Sequence, residues 1–260
     1  VPIYAIKRVN NVSAEYRDNI IMGKSNHSYC MNRKITEVLN TNSWLGRRCF
    51  IIGGGESLRG FDFSRLNGEL TIGINKAFKH YPNSTINYCM DSVFYDQMHR
   101  GEFDKPGEVP LIEYWKKYGG TRVFITPMER RQFNGDVLLV RRNIDPSVNR
   151  ENLEQGIHPG TNSGTGALTL AAALGASPIY LLGYDMAAST STHWHEGYEK
   201  RDLTEFSRKL DEYRQDIEKI SPLLAQAGIT VVNLNRSSGL RCFPFGDIDS
   251  IIGAKHESNL

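Results

Sequence analysis

The chain has little cysteine. Its four cysteines (Cys30, Cys49, Cys89 and Cys242) are scattered, with no CxxC pair. That excludes a disulfide scaffold and a zinc site built on paired thiolates. Cys49 and Cys89 fall inside apolar runs and are expected to be buried free thiols of a reducing compartment. Long hydrophobic runs are also missing. No stretch approaches the length of a membrane span, and no apolar signal core stands near the amino end, so no membrane partner is expected. The chain opens on Val1 rather than Met, which points to a trimmed amino end and leaves a lost targeting segment open. An excess of one charge is lacking too: 31 Lys and Arg face 29 Asp and Glu, a net +2 that by itself argues for neither nucleic acid nor membrane. These absences together point to the cytoplasm.

With 40% hydrophobic residues over 260 positions, the chain can bury a large core unaided. Residues 1–45 are polar and weakly patterned, with a short helix expected at Met31–Leu39. They read as an arm or decoration, with docking of a second copy as a candidate role. Residues 46–253 carry the regular pattern, and 254–260 form a tail.

Within that central part, short apolar runs alternate with helical segments. Strands are expected at 48–52, 69–74, 86–90, 121–125, 136–140, 178–183 and 229–234. Helices are expected at 77–81, 92–99, 164–174 and 203–227, with 100–121 as a loop and 141–159 as an irregular lip. The alternation predicts an α/β, Rossmann-like, mostly parallel sheet with helices on both faces.

The chemistry concentrates around Gly164–Asp185 and the following Thr192–Tyr198 (THWHEGY). Asn162 and Ser163 stand where a helix cap stands, and Gly164 opens the helix. Asp185 lies just past the end of a strand. In open α/β sheets, ligands bind beyond strand carboxyl ends and at helix N-termini. Upstream, the turn Gly53-Gly54-Gly55 with Ser57 would let backbone N–H groups approach a phosphate closely. It is neither GxGxxG nor a Walker loop. Asn75 and Asp91 follow two successive strands and suit a base, a ribose or a phosphate-bound metal, although Asp91 also suits a helix cap. His193 and His195 flank Trp194 in a polar loop and suit acid–base or phosphate work better than metal binding. Lys76, Arg236 and Arg241 are spare cations that could meet phosphates.

The order of these motifs resembles one superfamily over about 200 residues: GGGESL, FDFSRL, GINKAF, the Asp91 strand, NSGTGALTLAAALGASPIYLLGYDM, the histidine loop and ITVVNLNRSSGL. It includes the family-42 sialyltransferases and domain-of-unknown-function family 115, with its flagellin-modifying proteins and 6-hydroxymethylpterin diphosphokinases. LLGYDM followed by THWH is most similar to proteins of bacteriophage genomes, which would place the chain in a host cytoplasm.

The resemblance implies a GT-A-type fold with a nucleotide or nucleotide-sugar donor. It also implies contacts from the glycine turn and Asn75 to the nucleotide, Ser163-Gly164 against the donor, and His195 or His193 as catalytic base. The expectation is a glycosyltransferase-like enzyme whose acceptor is a glycan, a protein or a DNA base. The alternatives are a Mg²⁺-dependent diphosphokinase with Asp91 on the metal, and a non-catalytic phage accessory or structural protein.

Overall fold

The computed structural model describes residues 33–126, 133, 137–148, 150–187 and 203–253. The described strands are β1 (Arg33–Lys34), β2 (Cys49–Ile52), β3 (Leu70–Ile74), β4 (Ile86–Cys89), β5 (Thr121–Ile125), β6 (Val137–Val140), β7 (Ile179–Leu182) and β8 (Val231–Asn233). They form one sheet in the order β1-β6-β5-β4-β3-β2-β7-β8. Every pairing is parallel. The described helices are α1 (Ala77–His80), α2 (Ser92–His99), α3 (Leu111–Lys117), α4 (Ser163–Ala173), α5 (Leu203–Gln226) and α6 (Ile248–Gly253). The architecture is Rossmann-like α/β.

Strand alternation sorts the core into two layers. Ile51, Ile72, Tyr88, Val123, Val140 and Leu181 face α4 and α5. Cys89, Phe124 and Val137 face α1, α2 and α3, while Phe50, Ile52 and Leu182 pack towards Leu66, Ala77 and the α6 residues Ile248 and Ile251. Helix α4 is buried on every side from Thr165 to Ala173, so it behaves as a core element rather than an amphipathic surface helix. Helix α5 is amphipathic, with Phe206, Ile217, Ile220 and Leu224 buried. Among the described residues, no helix is long and apolar enough to cross a membrane.

Two sequence expectations are corrected. In place of a helix at 31–39 there is a two-residue edge strand, Arg33–Lys34, paired with Leu138 and Leu139, followed by a single 3-10 turn at Ile35–Glu37. Tertiary pairing outweighs local propensity there. Ile35 and Trp44 are buried in the main core, so 33–45 packs with the sheet. The expected loop at 100–121 contains α3. Pro110 precedes its first turn, and Leu111 and Trp115, four apart, bury one face. The lip at 141–159 is irregular apart from a 3-10 turn at Leu153–Gln155, and it is anchored by buried Leu153 and Ile157. Cys49 and Cys89 are free and buried, and burial pushes both thiols far up.

Candidate functional site

The strand order fixes where a crevice must lie. From β2 the chain builds outward through β3, β4, β5 and β6, then returns to place β7 on the other side of β2 and β8 beyond it. Connections leaving β2 and β7 therefore diverge, and the carboxyl ends of strands at such a reversal are where open α/β sheets bind ligands. The glycine turn follows β2, and Gly183-Tyr184-Asp185 follows β7.

These two turns are laced together. The Gly53 N–H donates to Leu182 O and the Gly55 N–H to Gly183 O, both at 2.8 Å. Asp185 accepts the Ser57 N–H at 2.8 Å, the Ser57 hydroxyl at 2.5 Å and the Asn235 amide at 2.8 Å. A Cβ on Gly53 would sit 2.7 Å from Gly183 O, and one on Gly55 would sit 2.4 Å from the Asp185 carboxyl carbon. The glycines are thus required by the close approach of the β2 and β7 ends. The N–H donors of Gly53, Gly55 and Ser57 are engaged by β7 and its turn, while Gly54 makes no such bond among the described residues.

A second cluster stands over β3 and β4, at the N-terminus of α4. Asn162 is the N-cap, accepting the Thr165 N–H at 3.0 Å and donating to Thr165 Oγ1 at 2.9 Å. Its side chain is spent on the helix. Ser163 Oγ accepts the Met90 N–H at 3.2 Å and donates to Asn75 Oδ1 at 3.4 Å. Asn75 is left-handed, with φ of 52°. Asn87, fully buried in β4, holds that turn by donating to Asn75 O at 3.0 Å. Gly164 is pinned by the Tyr184 hydroxyl, which donates to Gly164 O at 2.9 Å. Tyr184 therefore joins the two clusters through the first turn of α4.

Asp91 serves as the N-cap of α2, accepting the Val93 N–H at 2.8 Å, with its side chain exposed. The ends of β4 and β7 are three strand spacings apart, roughly 14 Å, so Asp91 and Asp185 belong to separate places. Among the described residues, no group of three or more His, Cys, Asp and Glu could hold a metal. His193 and His195 lie outside the described residues.

The sequence reading passed over several residues. Asn87 and Tyr88 sit in the strand run Ile86–Cys89, where an asparagine in a buried strand is itself a signal. Asn235 appeared only within a motif, not as a partner of Asp185. Lys76, noted only as a spare cation, is 3% exposed, with its ammonium 3.8 Å from the centre of the Phe103 ring. Burial, with Lys79 and Lys105 nearby, pulls it down to about 8.

No protein-family model and no curated protein matches the sequence. Among solved structures, the chain is similar to the MAf glycosyltransferase from Magnetospirillum magneticum AMB-1, at 15% identity and a TM-score of 0.44, over 85% of this chain and 38% of that one. It is also similar to the sialyltransferase CstII from Campylobacter jejuni in complex with a substrate analogue, CMP-3FNeuAc, at 17% identity and a TM-score of 0.45, over 76% of this chain and 85% of that one. The chain thus spans well under half the length of the first of these proteins. Likenesses this distant transfer no residue role.

Proposed function

We propose that the protein is a glycosyltransferase-like enzyme that binds a nucleotide-activated sugar in the crevice at the carboxyl ends of β2, β3 and β7. The observation that carries this reading is the placement of the α4 N-terminus beyond the carboxyl ends of β3 and β4, with Ser163 set between Asn75 and the β4 end and Gly164 held by Tyr184 from the end of β7. A helix of eleven residues brings a positive dipole end to that point. Asn75, held left-handed by Asn87, presents its amide towards the same place.

In this reading, Asn75 and Gly54 meet the nucleotide, and Ser163 with the first turn of α4 faces the linking phosphate. An acceptor hydroxyl attacks the anomeric carbon and loses its proton to a base, and the nucleotide leaves with the bonding electron pair. The helix dipole stabilises the negative charge that grows on that phosphate. The sequence resemblance assigns the base to His195 or His193. Asp185 has a scaffolding role, since both its oxygens hold the glycine turn. The residues around Asp91 do not fit a Mg²⁺ site: the carboxylate caps α2, and among the described residues no group of three His, Cys, Asp or Glu includes it.

Thermal melting against a panel of CMP, UDP and GDP compounds, with and without Mg²⁺, tests the reading. Stabilisation by one nucleotide class at millimolar concentration is expected, and Ser163→Ala should weaken it. Failure of every nucleotide to raise the melting temperature would sink it.

A further inference from the structure

Three buried polar atoms on the α4 side of the sheet have no hydrogen-bond partner among the described residues: Tyr88 Oη, Arg142 Nε and His158 Nδ1. They come from three separate places in the chain and converge on one region. Tyr88 belongs to β4 and is fully buried. Its hydroxyl presses on the first turn of α4, so closely that a Cβ on Gly166 would lie 2.2 Å from Oη. Glycine is a poor helix residue, and here it opens the space through which that hydroxyl reaches the helix.

Arg142 follows β6. Leu138 and Val140 face α4, and the two-residue period of the strand carries Arg142 to the same side. It is bridged to Ile157, which places His158 next to it. The carbonyl of His158 accepts the Thr169 hydroxyl at 2.6 Å, fixing that residue against α4. The charge of Arg142 also reaches the Tyr88 hydroxyl, partly opposing the rise that burial imposes on it. Arg142 has no ion pair among the described residues. Asp216, a buried acid of α5, is taken up by the Thr161 N–H at 2.7 Å and by Lys219 at 3.4 Å. Ordered water could satisfy a hydroxyl, but a half-buried guanidinium without a counter-charge is costly.

We infer that Tyr88, Arg142 and His158 form a subsite for an oxyanion beside the first turn of α4. The three groups supply a guanidinium, a phenol O–H and an imidazole nitrogen, and the helix end adds its dipole. This suits a phosphate or a carboxylate. It rests on the donor reading above only for which molecule carries the anion.

Calorimetric titration and thermal melting of the wild type, Arg142→Gln, Arg142→Lys and Tyr88→Phe test this with inorganic pyrophosphate, glucuronate and CMP as probes. The wild type should bind one oxyanion probe, and Arg142→Gln should weaken it by about tenfold or more, with Arg142→Lys intermediate. Tyr88→Phe should melt at or above the wild type without ligand, because it removes an unpaired buried hydroxyl, yet bind the probe more weakly. Binding of pyrophosphate but not glucuronate assigns a phosphate, and the reverse assigns a sugar carboxylate. A Tyr88→Phe protein that melts lower and binds unchanged makes the hydroxyl a water-bonded core group and overturns the subsite. Equal binding by wild type and Arg142→Gln, or no binding of either oxyanion probe, overturns it as well. Binding of CMP with no role for Arg142 leaves the donor reading standing without the subsite. Arg142-dependent binding of pyrophosphate with no nucleotide binding leaves the subsite without the donor reading.

Discussion

Asp185 takes both the backbone N–H and the hydroxyl of Ser57, at 2.8 and 2.5 Å, across 128 residues of chain. One carboxylate thereby ties the turn after β7 to the turn after β2, with Asn235 as a third donor from beyond β8. A residue at a strand's carboxyl end is easily taken for a ligand contact, but this one is fastened to its own scaffold. Asp185→Ala should cost about 1–3 kcal/mol in urea unfolding, with Asp185→Asn losing less. Variants that unfold like the wild type and lose only ligand affinity would return Asp185 to the ligand.

Asn75 separates backbone from side chain. At φ of 52° a glycine is at ease and an alanine is strained by about 1 kcal/mol. Asn75→Gly should therefore unfold at a higher urea concentration than Asn75→Ala, although both lose the contact to Ser163. Both should weaken nucleotide binding equally, because the amide is missing from each. Intact binding in Asn75→Gly would mean that the turn's shape, not the amide, matters.

Lys76 gives a pH dependence with a definite sign. Its folded value of about 8 lies below the ordinary 10.5, chiefly through burial. Below pH 8 both states hold the proton, and the folded protein keeps a buried ammonium. Between about 8 and 10.5 the unfolded chain keeps a proton that the folded one has released, so this residue makes stability rise with pH. The gain is at most about 3 kcal/mol, and the Phe103 ring reduces it by favouring the ammonium. Lys76→Met should be the more stable protein at pH 7 by chemical denaturation, with its advantage shrinking towards pH 10.5. An advantage that does not change with pH would contradict the shift.

His193 and His195 are the candidates for the proposed proton transfer. His193→Ala and His195→Ala, made separately, should leave nucleotide stabilisation intact. One of the two should lower transfer or donor hydrolysis by about 10²- to 10⁴-fold. Unchanged rates in both single variants and in the double variant would leave a binding role for the fold without catalysis.

Much of the fold is legible in the sequence because a parallel sheet writes itself as short, mostly apolar runs: CFII, INYC and IYLL stand out between polar segments. α2 and α4 announce their caps, Asp91 and Asn162. α3 does not, because its seven residues follow a stretch crowded with Gly and Pro, and only the Leu111–Trp115 spacing marks it. β1 is invisible locally: Arg33 and Lys34 become a strand only because β6 offers an edge. The site was harder to read. Sequence shows which polar residues end a strand, but not whether their donors turn inward, as with Ser57, or remain available. It also cannot show that residues as distant as 88 and 142 leave polar atoms unpaired on one face, since pairing exists only after folding.

The register that sets Cys49 beside both Leu70 and Ile179 also dictates an order of events during synthesis. β2 can acquire β3 almost at once, but its other edge stays bare until the chain has been made as far as β7. Helix α4, which covers β2, β3 and β4, arrives only shortly before. A strand that is interior in the finished sheet is therefore an open edge through much of translation. A chain stopped before Ile179 would present Cys-Phe-Ile-Ile as a sticky border, prone to pair with another copy of itself.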